Sequence, residues 1–381
     1  MPGFFILMKI ILAFDSFKGS IDSPRVCELA EKKILEIYPD AEVKKMPLAD
    51  GGENTASILA EFFGGGMKII GNVQGPVDGI TVFGAFGNIP SQKTAIVEMA
   101  IASGLALLDR DRLQPLKSST FGTGEILKEV FRSGYDQVYL TLGGSATNDG
   151  GTGAAAALGW KFYDKDNKLM SPNGGNLIDI RKIEAPHGTW SWPKLKCLCD
   201  VQNPLTGPAG AAAVYGPQKG ADADQIKQID DGLKNLAEIM RRDFAKEIEN
   251  IPGAGAAGGF GGGAIAFFGA ELVPGIETIL KWMDFGRELE DTDWVITGEG
   301  CLDDTSFKGK VLSGVSKAVK NSNAKLAAIA GRVKASGKSL SDAGVELAEA
   351  AAPSMIPDAV AFEHAEELFQ EAVARVVERF S

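Results

Sequence analysis

Apolar runs that stop abruptly at glycines and acids, each followed by a stretch patterned as a helix, recur towards both ends of this chain, and that alternation restricts it to an α/β architecture. Residues 8–14 make a complete strand. Ser23 as N-cap with Pro24 behind it opens a helix whose apolar positions Val26, Leu29, Ala30, Ile34 and Ile37 share one face. A strand at 42–48, a helix from 53 to 63 and a strand at 67–73 continue the pattern toward a parallel, doubly wound sheet. The rhythm returns near the end, with a strand from Trp294 to Thr297, a helix after Gly309, a strand at 325–330 and an amphipathic helix over 362–380.

Between these ends the composition changes. Residues 76–286 hold 31 of the 47 glycines, in long Ala/Gly segments unlike either flank. With 381 residues the chain exceeds what one core supports. The expected fold is therefore a discontinuous, doubly wound, Rossmann-like α/β domain over 1–75 and 287–381, with a second Gly-rich α/β domain inserted over 76–286. Ligand loops are expected to face a cleft between them. Residues 1–7 are expected to be an extension, because the first strand is complete without them.

Acidic residues outnumber basic ones 50 to 39, a net charge of -11, and no basic stripe interrupts this balance, which argues against a nucleic-acid partner. An anionic substrate would need lysines, amides or a metal at its site. Cys27, Cys197, Cys199 and Cys301 form no CxxC pair and are expected to be free thiols. The apolar opening, 4–14, is interrupted by Lys9 and falls short of a membrane span, so a cytoplasmic protein with no membrane partner is expected.

The chemistry gathers at strand ends. GGSATNDGG, 143–151, lies between the apolar run 138–142 and an Ala-rich stretch, where close backbone approach and a helix N-terminus suit an anion. DSFKGS places Asp15, Ser16 and Lys18 after the first strand, PLADGGE places Asp50, Gly51 and Gly52 after the second, CDVQNPLTGP supplies Asp200 and Asn203, and ITGEG supplies Glu299. Any one of these is an ordinary loop carboxylate; several with glycine neighbours suit phosphoryl transfer, which needs amides and lysines around phosphates, carboxylates for Mg²⁺, and a base. His187 and His364 neighbour no motif, which argues against a Ser-His-Asp mechanism. Two textual matches are discounted. Gly253, Gly255 and Gly258 spell a dinucleotide fingerprint but follow a polar segment and Pro252, and Gly331 to Ser339 spaces its glycines one residue too far apart for a P-loop.

Taken with TAIVEMAIASGL, STFGTGE, CDVQNPLTGPAGAAAVYGPQKGA and PGAGAAGGFGGGAIAFFGAEL, these motifs occur in the order found in type I bacterial glycerate kinases, which the chain resembles over 8–330. The resemblance implies ATP-dependent phosphorylation of D-glycerate, most often to 2-phosphoglycerate, with Mg²⁺, on a two-domain α/β fold whose second domain is inserted. On this reading Lys18 holds an anion, Asp200 is the base or a metal ligand, and Asp50 is a further catalytic acid. Gly143, Gly144 and Ser145 offer amides and Thr147 and Asn148 side-chain donors. Asp15, Ser16, Gly51, Gly52, Asn203 and Lys219 join the substrate and phosphate contacts, and Asp149 and Glu299 hold metal. The chain departs from the family pattern at Cys301, where an arginine is usual, and at Asp303, Asp304, Thr305 and Ser306, so any phosphate contact from that arginine is lost, or replaced by Lys308 or Lys310. A kinase of another small hydroxy acid, or a non-catalytic metabolite-binding relative, is the alternative.

Overall fold

The computed structural model describes residues 8–187, 192–307 and 309–380. The chain divides into two compact units, one made of the described residues up to Asp50 and from Ile276 onward, the other running Gly51–Gly275.

The first unit is built on a five-stranded, all-parallel sheet in the spatial order Val345–Ala350, Lys325–Ala330, Trp294–Gly298, Lys9–Phe14, Glu42–Lys45. The apolar strands are buried, as a parallel sheet covered by helices requires. The helix Ser23–Ile37 crosses from the first strand to its edge neighbour. Its N-cap is Asp22, whose carboxylate accepts the Arg25 N–H, whereas Ser23, expected there, turns inward and donates its hydroxyl to the Phe14 carbonyl at 2.8 Å. The C-terminal helix Ala365–Val377 inserts Phe369 edge-on to Phe14 and Phe17, at 5.5 and 5.3 Å between centroids. Full burial of that ring contributes about 2 to 3 kcal/mol, and it fixes the turn that follows the first strand.

The second unit carries a six-stranded sheet in the order Glu271–Val273, Lys194–Leu198, Gln137–Thr141, Thr94–Glu98, Thr81–Ile89, Gly66–Gln74. Its first four strands are parallel and its last two antiparallel. Helices Phe121–Arg132, Ala223–Phe244 and Ala256–Phe268 enclose a core in which Leu127, Leu140, Phe162, Leu233 and Phe260 are buried.

The observed units differ from the expected boundaries. Residues 51–75 and 276–286 change sides, because the strand Gly66–Gln74, expected in the first sheet, pairs along its whole length with Thr81–Ile89. An alternating pattern identifies a strand without identifying its partner, and the short connection between these two favours an antiparallel hairpin over a crossover.

Candidate active site

In the first unit the strand order turns at the pair Lys9–Phe14 and Trp294–Gly298: connections from one run to one edge and from the other to the opposite edge. Open α/β sheets bind ligands at the carboxyl ends of the strands flanking such a turn. Register places Phe14 opposite Gly298, and the Asp15 N–H bonds the Gly298 carbonyl at 3.0 Å, so Asp15 and Glu299 leave the sheet side by side. The edge strand continues alongside through bonds from Met46 N to Leu12 O and Leu48 N to Phe14 O, which carries the chain to Asp50. These three acids, with Ser16, Lys18, Cys301 and Lys310, line one cavity of about 810 Å³.

Their charges are poorly offset. Burial, then the neighbouring charge of Asp50 and, more weakly, Glu299, pushes Asp15 up to about 7, against the 2.7 Å bond from the Ser16 N–H and the attraction of Lys18. Burial likewise raises Glu299, with the Ser306 hydroxyl and Lys310 acting in the opposite direction. The Glu299 Oε1 atom is buried and meets no hydrogen-bond donor among the described residues. A buried carboxylate oxygen without a donor costs several kcal/mol unless a proton or cation reaches it. Oxygen-only donors of this kind fit a hard cation such as Mg²⁺, which needs one or two carboxylates beside substrate phosphates. Among the described residues no group of three or more His, Cys, Asp or Glu encloses an ion by itself. Lys310 is half-buried at the N-cap of the helix Val311–Val319; Lys308 lies outside the described residues.

In the second unit, the GGSATNDGG loop has a different character. Only Gly143 and Gly144 keep appreciable exposure; Ser145, Thr147, Asn148 and Asp149 are buried. Asp149, expected to hold metal, accepts the Thr120 N–H and hydroxyl at 2.8 Å each and the N–H groups of Gly153 and Gly151 at 3.1 Å. Its oxygens thus accept four hydrogen bonds from the protein, which organise the loop. Lys219, expected among the substrate contacts, is 2% exposed and donates inward to Ser145 Oγ at 3.0 Å and Thr147 O at 2.6 Å. Burial lowers it to about 7, with the charge of Asp149 acting in the opposite direction. The helix after the loop, Thr152–Ala157, has six residues.

The glycines beyond this loop explain its burial. Gly258 sits at φ +67°, where a side chain would come within 1.9 Å of the Thr147 carbonyl, and its own carbonyl accepts the Gly150 N–H at 3.1 Å. Gly258, one of the fingerprint-like glycines, therefore permits backbone packing against the 143–151 loop. Asp200, half-buried, accepts the Gly275 N–H at 2.8 Å. Asn203 donates to the Ala209 carbonyl and accepts from the Tyr215 hydroxyl, so its side chain is held by its own loop. Gly51 takes φ +88° against Leu198, and the Gly52 carbonyl accepts the Thr55 hydroxyl. Both shape a turn. Glu98, a strand-end acid that sequence reasoning missed, accepts N–H groups of Ala56 and Asn54 at the start of the helix Thr55–Phe62, and burial raises it to about 7. The signal that marked the other acids, an acid closing an apolar run, also marks Glu98.

Comparison with known proteins closes the picture. The family model described as the glycerate kinase family matches residues 10–381. A glycerate kinase of Halalkalibacterium halodurans is 38% identical over 369 residues, 96% of this chain and 97% of its own length. A glycerate 2-kinase of Escherichia coli is 39% identical over 329 residues, 85% of each chain. A crystal structure assigned to glycerate kinase 2 of Salmonella typhimurium superimposes with a TM-score of 0.84 at 35% identity over 98% of both chains.

Proposed function

Because the chain belongs to the glycerate kinase family, we propose that it transfers the terminal phosphoryl group of ATP to D-glycerate, giving 2-phosphoglycerate, with Mg²⁺ and in the cytoplasm. The observation that carries the reading is the set of Asp15, Asp50 and Glu299 lining one cavity at the turning point of the parallel sheet, with a buried Glu299 oxygen that a bound cation would satisfy. Asp15, Asp50 and Glu299 would hold the ion. Bound Mg²⁺ supplies neutralisation of charge on the transferring phosphoryl group. Lys18, exposed at the cavity rim, positions a phosphate or carboxylate by charge alone, and Ser16 offers a hydroxyl beside it. Gly143, Gly144 and the Ser145 hydroxyl, steadied by Lys219, are the part of the second unit's loop available to an anion. Asp200 is proposed as the acceptor of the glycerate hydroxyl proton, with the Gly275 N–H fixing its orientation. The four cysteines, all free, support the cytoplasmic assignment.

A coupled ADP-release assay over a panel of hydroxy acids tests the proposal. D-glycerate should be the best acceptor, EDTA should abolish turnover and Mg²⁺ restore it, and NMR of the product should show phosphate on O2. A different best acceptor would assign the chain to another hydroxy acid, a reading favoured by Cys301 lining the cavity where the family pattern has arginine. Asp200→Asn should lower turnover by roughly 10² to 10⁴ with a smaller change in glycerate KM. Loss of Mg²⁺ affinity in that variant would make Asp200 a metal ligand instead of the base.

A further inference from the structure

Three neighbouring parallel strands of the second unit end in register: Glu98 stands opposite Thr141, and Thr141 opposite Leu198. Two residues beyond the last two come Gly143 and Asp200. Ends of this kind are where α/β sheets place their ligands. The turn 51–55 lies across them, since a side chain on Gly51 would meet Leu198 Cβ at 3.3 Å and one on Gly143 would meet the Gly51 carbonyl and Gly52 Cα at 3.1 Å.

Glu98 holds that turn. The helix Thr55–Phe62 begins at Asn54, whose φ of +65° is left-handed and whose side chain makes no capping bond. The acceptor that a helix N-terminus needs comes instead from another strand: the Glu98 carboxylate, on a residue only 5% exposed, accepts the Asn54 N–H at 3.2 Å and the Ala56 N–H at 2.5 Å. The Thr55 hydroxyl closes on the Gly52 carbonyl at 2.8 Å. A left-handed residue other than glycine persists where its surroundings over-determine it, and these bonds do so at Asn54.

Held in this way, the turn presents Glu53. The residue is exposed, its Oε1 atom lies 3.8 Å from where a side chain on Gly144 would begin, and among the described residues no hydrogen bond or ion pair occupies its carboxylate. An acid beside the loop edge that takes an anion weakens that edge for every anion. The loss is offset where the anion also carries a hydroxyl for the acid to accept, because a hydrogen bond to a charged oxygen is stronger than one between neutral groups. Such a site rejects an analogue that lacks the hydroxyl.

Resting on the glycerate reading above, we propose that Glu53 selects the acceptor by its non-reacting hydroxyl, and that Glu98 is the positioning residue that keeps Glu53 at the Gly143–Gly144 edge. The ligand class is a 2,3-dihydroxy acid, with its carboxylate on the loop edge, O2 toward Asp200 and O3 on Glu53. D-Lactate, which has the carboxylate and O2 but no O3, is the matched analogue.

Isothermal titration calorimetry of D-glycerate and D-lactate against the full-length protein tests the proposal, with a circular dichroism melt of each variant beside it. The wild type should bind D-glycerate more tightly than D-lactate by about tenfold or more. Glu53→Ala should close most of that gap, weakening D-glycerate about tenfold while D-lactate binds as before or better. Because Glu53 is exposed, its replacement does not threaten folding. Glu53→Gln keeps an acceptor oxygen and should retain a gap of intermediate size. Glu98→Gln should narrow the gap with D-lactate affinity within about twofold of wild type, a split that a general loss of structure would not produce. A wild type that does not distinguish the two acids, a full gap in Glu53→Ala, or an equal loss for both acids in Glu98→Gln would overturn the proposal. A gap that depends on Glu53 in a protein that releases no ADP with glycerate would keep it and remove the kinase reading; turnover of glycerate with the gap intact in Glu53→Ala would do the reverse.

Discussion

Asp15 and Asp149 are both buried carboxylates set just beyond a parallel strand, yet Asp15 receives the N–H of Ser16 and, at 3.4 Å, its hydroxyl, while Asp149 receives three backbone N–H groups and a hydroxyl. Around Asp15 stand two further acids, one with an oxygen that meets no donor among the described residues; around Asp149 stands a buried lysine. The first arrangement opens on a cavity and leaves a buried carboxylate oxygen to a proton or a cation. In the second the carboxylate is satisfied, although Thr147 Oγ1 and Asn148 Oδ1 of the same loop are buried and meet no partner among the described residues. A buried acid that its own protein fully satisfies is architecture, and one left in deficit is a place for a ligand.

The sharpest break between the two regions would come from removing a carboxylate on each side. Asp15→Asn should lower turnover by roughly 10² to 10⁴ without unfolding the protein, as read by the coupled assay beside circular dichroism. Near-wild-type kinetics would dissolve the contrast. Asp149→Ala strands donors in a buried loop and should cost roughly 3 kcal/mol of stability, measured by urea denaturation; a loss below about 0.5 kcal/mol would mean the loop does not depend on it.

Lys219 sharpens the comparison through pH. Its folded value, about 7, lies below the ordinary 10.5, so between these values the unfolded chain binds the extra proton and stability rises with pH across that window. Below about 7 the full cost of burying the charge is present. Asp149, the charge facing it, is raised by burial and therefore gives a component of the opposite slope beginning in the acid range. Lys219→Met should flatten the rise between pH 7 and 10 by on the order of 1 to 3 kcal/mol. Parallel stability profiles for the two proteins would show that the lysine's charge is not strained by burial.

The smallest effect is expected at the loop's exposed edge. A methyl on Gly143 would lie 3.1 Å from the Gly51 carbonyl and the Gly52 Cα, a contact that needs a shift of a few tenths of an ångström. Gly143→Ala should change stability by less than about 1 kcal/mol and raise KM for an anionic ligand severalfold. This is a cleaner probe than Gly144, whose φ of +71° penalises any side chain before ligand binding is considered. Unaltered KM values would make the edge a plain turn.

Much of the first unit was legible in the sequence. The strands Lys9–Phe14 and Lys325–Ala330 and the acids at Asp15, Asp50 and Glu299 follow from apolar runs that end in chemistry, because parallel strands are buried on both faces and expose function only at their ends. The fate of GGSATNDGG was not legible. Much of its polarity, though not Thr147 Oγ1 or Asn148 Oδ1, is absorbed by Thr120, Lys219 and the backbone around Gly258, which lie far off in sequence, and nothing in the local pattern records their approach. For the same reason Gly66–Gln74 could be read as a strand but not assigned to its sheet.

The central claim is that the charge deficit at Asp15, Asp50 and Glu299, and not the acid within the glycine-rich loop, makes the cation site. Mn²⁺ titration in the presence of ADP, followed by electron paramagnetic resonance on the wild type, Glu299→Gln and Asp149→Asn, tests it most directly. Glu299→Gln should weaken Mn²⁺ binding by roughly tenfold or more, while the folded fraction of Asp149→Asn binds as tightly as the wild type. Wild-type affinity in Glu299→Gln together with lost affinity in folded Asp149→Asn would contradict the account.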